Sequence, residues 1–192
     1  MKKSMILIVM ATLCLFLDVS AQGLKPLTKS IDELKPLNIG EKVPDLEFDQ
    51  ALNMPGGKLR FSDYKGKSLI LDFWGTWCSA CIKGFPHLQE IQDKYGKNLQ
   101  ILLINDSVTD SLHIVKEFLE KRKIDNEEIK LPVVFTHPKI TKKLFPHRHF
   151  PHYVWISADG RIKAITRAEQ LEEESIERLI AGLDIHIPVK QP

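Results

Sequence analysis

A chain of 192 residues, 43% hydrophobic and 27% charged, can bury one full core and carry only short extensions around it. Its formal charge of +2 is gathered into no long block, so Lys121-Arg122-Lys123 and Lys142-Lys143 read as solvated faces and not as a nucleic-acid surface. No internal repeat or low-complexity tract interrupts it.

The chain opens with Lys2 and Lys3, then an apolar and small-residue run from Met5 to Leu17, then the small residues of Val19-Ser20-Ala21. Thirteen residues are too few to cross a hydrocarbon core of about 30 Å as a helix. Residues 1–21 therefore read as a signal peptide cleaved after Ala21, which implies an exported, periplasmic or extracytoplasmic protein; an uncleaved segment would make it membrane-anchored. Cys14 follows Leu13, not a small residue, and reads as a hydrophobic signal residue, not a lipoprotein site. Without this segment two cysteines remain, Cys78 and Cys81.

Residues 22–40, with Pro26 and Pro36, read as an extended leader, 41–184 as the folded domain and 185–192 as a tail. Leu46-Glu47-Phe48 and Lys58–Phe61, on either side of the Pro55-Gly56-Gly57 turn, predict an N-terminal β-hairpin. Ser68–Trp74 is a near-continuous apolar run, the pattern of a strand buried on both faces, broken only by Asp72. Ile82, Phe85, Leu88, Ile91 and Tyr95 mark a helix ending near Gly96, with Pro86 inside it. Leu99–Ile104 is a second buried strand, 109–123 a helix, Pro132–Thr136 a third strand and Lys139–Leu144 a short helical turn. Tyr153–Ile156 and Arg161–Ile165 form a closing hairpin around Ala158-Asp159-Gly160, and Glu172–Gly182 a last helix. Alternation followed by a hairpin predicts an α/β fold, a central mixed sheet with helices on both faces.

A disulfide across three residues closes too small a loop to act as a staple, so the pair points to chemistry. Cys78 falls at the strand-to-helix junction, where free amides and the helix dipole stabilise a thiolate. Cys81, one turn on, is within disulfide reach and more enclosed. That makes Cys78 the attacking thiolate and Cys81 the resolving thiol, which releases the mixed disulfide. No second CxxC or Cys/His pair at zinc spacing follows, so no metal is expected. Asp72, six residues before Cys78, is a carboxyl whose pKa burial would raise, and it is a candidate acceptor for the Cys81 proton. Pro151, at the head of a predicted strand, is either structural or a cis residue exposing the Phe150 backbone as a pairing edge for substrate.

Asp72-Phe73-Trp74-Gly75-Thr76-Trp77-Cys78-Ser79-Ala80-Cys81 resembles the thioredoxin active-site segment. With Gly40–Asp45, Phe85-Pro86 and Phe150-Pro151, the chain over about 38–184 is similar to the exported TlpA/ResA-like thiol–disulfide oxidoreductases. The resemblance implies a thioredoxin-like fold with an N-terminal hairpin and an insertion within 105–131. It also implies Cys78 as nucleophile, Cys81 as resolver, Pro151 as a cis-proline beside them and Trp77 as an exposed ring. It favours a disulfide reductase, a monomer, that serves exported protein disulfides and draws on an upstream electron donor. The redox-active Cys78–Cys81 pair is its only expected cofactor. Two residues depart from the family pattern: Ala80 replaces the usual proline, and Gly84 stands where ResA-like members often carry glutamate. Asp72 alone is then expected to move the proton.

Two other activities compete. A peroxiredoxin-like thiol peroxidase needs Pro-x-x-x-Thr-x-x-Cys, but Thr76 stands two residues before Cys78 and no proline precedes it at that spacing. A Cu(I)-delivery module of this fold uses three residues between its cysteines, where this chain has two. Among the histidines, His87 and His147 read as exposed, and His149 and His152 read equally as groove or loop residues.

Overall fold

The computed structural model describes residues 34–167 and 170–186. The expected signal segment, the leader up to residue 33 and most of the tail lie outside the described residues. The stretch from Leu34 onward forms one compact unit.

Among the described residues, eight strands and four helices follow in chain order: β1 (Glu47–Phe48), β2 (Ala51–Leu52), β3 (Leu59–Arg60), β4 (Ser68–Trp74), α1 (Ser79–Tyr95), β5 (Leu99–Asn105), α2 (Leu112–Ile124), β6 (Val133–Phe135), α3 (Pro138–Leu144), β7 (His152–Ile156), β8 (Ile162–Thr166) and α4 (Glu173–Ile180). Six strands make one mixed sheet in the order β2-β6-β5-β4-β7-β8. β4, β5 and β6 run parallel, and β7, β8 and β2 antiparallel to their neighbours. β1 and β3 pair separately, Glu47 opposite Arg60.

Alternation along β4 divides the core. Ile70 and Trp74 face Cys81, Phe85 and Leu88 of α1, Val115 of α2 and Ile176 and Leu179 of α4. Leu69, Leu71 and Phe73 face Leu144 and Phe145 at the end of α3 and the β1/β3 hairpin residues Phe48 and Leu59. Every residue of β4 is buried, as expected of a strand covered by helices on both faces.

Three features go beyond the sequence expectation. The hairpin is interrupted by β2, which crosses to pair with β6 and becomes the edge strand of the main sheet. Asn53, at φ 59°, turns the chain there and donates to the carbonyls of Ile129 and Leu131 at 2.6 and 3.1 Å. Helix α2 begins at Ser111, whose hydroxyl caps the Ile114 amide, and not at 109. Within the expected leader, the amides of Leu37 and Gly40 donate to Leu144 and Ile162 at 2.9 and 2.8 Å, so its last residues lie against the domain.

Candidate active site

β4 ends at Trp74, and four residues carry the chain into α1. Gly75 is buried, and a Cβ there would come within 3.0 Å of Trp77 Nε1 and 3.3 Å of Ser107 Cβ, so a side chain would fit only if those neighbours moved by a few tenths of an ångström. Asp110 grips the next residue: its two carboxylate oxygens accept from the Thr76 amide at 2.8 Å and the Thr76 hydroxyl at 2.7 Å. Asn105, the last residue of β5, donates to the same carboxylate at 2.7 Å. Trp77 donates its indole N–H to Ser107 at 3.1 Å and leaves its ring 61% exposed.

Cys78 is the N-cap of α1, and its sulfur accepts from the Cys81 amide at 3.2 Å. The two cysteines are joined in a disulfide with a Cα–Cα distance of 5.3 Å. Cys78 is 6% exposed and Cys81 fully buried, so what little exposure the pair has belongs to its first cysteine. A sulfur at a helix N-terminus is in the field that favours thiolate.

Asp72 lies two residues before Trp74 on the α1-facing side of β4, and it is fully buried. Neither of its oxygens has a hydrogen bond of ordinary geometry. Desolvation holds the carboxyl well above its usual range, and the Tyr153 hydroxyl, on the residue directly opposite in the ladder, offsets this only in part. Tyr153 is itself buried, and its hydroxyl is 3.9 Å from where a Gly84 side chain would begin.

The second lip of the site comes from the segment before β7. The Phe150-Pro151 bond is cis, and the Phe150 ring lies 5.6 Å from that of Trp77. His147 is not in an exposed loop: it is buried, with Nε2 3.2 Å from Asp106 and Nδ1 2.7 Å from the Phe145 carbonyl. Its ring stacks on that of His152 at 4.9 Å, which is buried as well. The burial follows from the carboxylate waiting at the end of β5, a partner that no local pattern around His147 announces. His149 is exposed, and His87 is half exposed beside Glu90.

Cys78, Cys81, Trp77 and Phe150 thus come together, with Pro151 next to Phe150 and Asp72 on the buried side of the same helix. Sequence reasoning missed Ser107, Asp110, Asp106 and Tyr153. The polar run Asn105–Asp110, directly after a parallel core strand, was the available signal, because such strand ends border sites in open α/β sheets. Among the described residues, no group of three or more His, Cys, Asp or Glu side chains could hold a metal ion.

The AhpC/TSA family model matches residues 39–164. The chain is 29% identical over 177 residues to the thiol-disulfide oxidoreductase ResA of Geobacillus kaustophilus, covering 92% of this chain and 95% of the relative. It is equally identical over 144 residues to ResA of Bacillus thuringiensis subsp. konkukian, covering 74% and 78%. The thioredoxin domain of a thiol-disulfide oxidoreductase from Bacteroides vulgatus superposes with a TM-score of 0.59 at 22% identity, covering 74% of this chain and 99% of that one, a likeness of fold.

Proposed function

We propose, from the premise that the chain belongs to the AhpC/TSA family and is a TlpA/ResA-like thiol–disulfide oxidoreductase, that it reduces disulfides of exported proteins through Cys78. The carrying observation is the asymmetry of the pair: Cys78 caps the helix and keeps 6% exposure, while Cys81 is fully buried. In the reduced enzyme the Cys78 thiolate attacks a client disulfide, forms a mixed disulfide and releases one client thiolate. Cys81 then attacks Cys78, expels the second client thiolate and regenerates the internal disulfide. Two electrons pass from the pair to the client, and an upstream donor, membrane-bound or soluble, returns them.

Cys81 must lose its proton to attack. Asp72, buried on the same side of the sheet with its acidity suppressed, is suited to accept it. Trp77, Phe150 and Pro151 form the apolar surface that a client segment meets, and the pair needs no other cofactor. We assign the work to the monomer, outside the cytoplasm. Among the described residues, no helix is long and apolar enough to cross a membrane.

Peroxide reduction is the weaker reading, because the Thr76 hydroxyl donates its hydrogen bond to Asp110 and is not left to donate to a peroxide at Cys78. Copper delivery lacks the expected spacing between the cysteines.

Two measurements test the proposal. Cys81→Ser should accumulate a mixed disulfide with protein clients at Cys78, and Cys78→Ser should trap none. Equilibration of the pair with glutathione should give a potential near that of thioredoxin, about −270 mV; a value near about −120 mV would make the protein an oxidant.

A further inference from the structure

The pair Asp106–His147 takes no part in the thiol chemistry, yet it is buried against the ring of Phe150. The roles of its atoms follow from their types. A carbonyl oxygen only accepts, so the contact of His147 Nδ1 with the Phe145 carbonyl at 2.7 Å is a hydrogen bond only when Nδ1 carries a hydrogen. Asp106 Oδ2 accepts from the Thr141 hydroxyl at 2.7 Å. What remains is Nε2 facing Asp106 Oδ1 at 3.2 Å. That contact is a hydrogen bond only while one further proton lies between the two atoms, on either of them. Without it the neutral ring has one N–H for two acceptors, so a lone pair faces either the Asp106 carboxylate or the Phe145 carbonyl, in a setting where water screens little.

The His147 ring is wedged between elements on both sides of the site. Phe73 of β4 lies 4.8 Å from it, His152 of β7 4.9 Å and Phe150 5.4 Å, with Thr141 of α3 on Asp106 behind. Of the groups that face it, Asp106 and His152 are ionisable; Arg148 and His149, next in the chain, are exposed. Phe150 in turn contacts Trp77. A line of contacts therefore runs from the Asp106 carboxylate to the ring beside the disulfide.

We propose that Asp106 and His147 form a proton-dependent latch that seats Phe150 against Trp77 and so positions the lip engaged by protein clients. This rests on the reading of Phe150-Pro151 as the client edge. With the shared proton in place the lip is held. Once it leaves, His147 keeps only one of its two anchors, Phe150 loses its backing, and large clients bind less well. A small disulfide, which needs only the sulfur of Cys78, is indifferent to the change.

Asp106→Asn discriminates, because it replaces every hydrogen bond. The amide oxygen accepts from Thr141 and the amide N–H donates to Nε2, so the latch closes with no shared proton to lose. The quantity read is kcat/KM for a scrambled or disulfide-bonded protein client divided by that for oxidised glutathione, which cancels the pH dependence of the thiols. From about pH 5 to about pH 9, the wild-type ratio should fall by about fivefold, the worth of one net hydrogen bond, while that of Asp106→Asn stays at the low-pH value. Both proteins retain His152, so its titration cannot separate them. Parallel profiles for the two proteins, flat or sloping, overturn the latch. Phe150→Ala in the same assay separates the two readings. If it lowers the ratio while the profiles stay parallel, the latch alone fails; if it leaves the ratio unchanged, the client edge fails and the latch with it.

Discussion

Asp72 is the residue whose environment departs furthest from what its chemistry prefers. A carboxyl with no exposure and no well-formed hydrogen bond is favoured in its neutral form, and its pKa is raised for that reason. The consequence for stability has a definite sign. The folded-state pKa lies above the ordinary 3.8, so the stabilising contribution is complete below that value and is lost as pH rises through the folded-state pKa. Asp72→Asn is neutral at all pH and avoids the loss. Urea unfolding of the oxidised protein should therefore show the variant more stable than wild type at neutral pH, with the difference closing towards about pH 4. An equal gap at both pH values would mean that the amide gains by packing and not by removing a charge. The same substitution should slow release of the mixed disulfide by about a hundredfold at neutral pH, the scale of a lost general base, seen by stopped-flow thiol release. Unchanged release kinetics would remove Asp72 from the mechanism. Greater stability together with slower chemistry would identify a group kept for function at a cost to the fold.

At the level of elements, the active-site loop is held from outside itself. Local pattern accounts for β4 and α1: an apolar run of seven residues and a helical face from Cys81 to Ile91. The four residues between them have no periodicity to hold them. Asp110, 34 positions further on, does this by taking both donors of Thr76 and one from Asn105. The same commitment explains why α2 starts at Ser111 and not earlier. Asp110→Ala should cost about 2–4 kcal/mol, since three donors lose a charged acceptor in a partly buried place. Asp110→Asn, which keeps an acceptor, should cost less. Equilibrium unfolding of the two variants decides the matter, and equal losses would show that packing of the loop, not the hydrogen bonds, is what counts.

Across the whole molecule, the β1/β3 hairpin is joined to the main sheet by a single crossing at β2. Ala51 and Leu52 pair with Val134 and Val133, and Asn53 closes the junction with two hydrogen bonds to carbonyls 76 and 78 positions away. This edge strand covers β6, which would otherwise present an open row of backbone groups. Asn53→Ala should lower stability by about 2–3 kcal/mol, combining lost hydrogen bonds with a left-handed backbone that alanine resists. Asn53→Gly removes only the first contribution and should cost less. Hydrogen exchange at β6 should quicken in both, and unchanged exchange would mean that the pairing of β2 does not depend on Asn53.

The parts of this protein that the amino-acid order determined by itself are those encoded at short range. A near-continuous apolar run marks β4, a 3.6-residue period marks α1, the Ala158-Asp159-Gly160 turn marks the closing β7/β8 hairpin, and a three-residue cysteine spacing marks the reactive pair. A lone carboxyl in an apolar strand singled out Asp72. Tertiary structure alone decided that His147 would be buried on Asp106, 41 positions before it, and that Phe150 would meet Trp77. It also decided that Asp110 would hold the loop leading to Cys78. The reason is physical: a hydrogen bond or ring contact between distant segments depends on which strand ends the sheet order brings side by side. Cys78 and Cys81 could be read as a working pair from their spacing, but the walls around them are supplied by the fold.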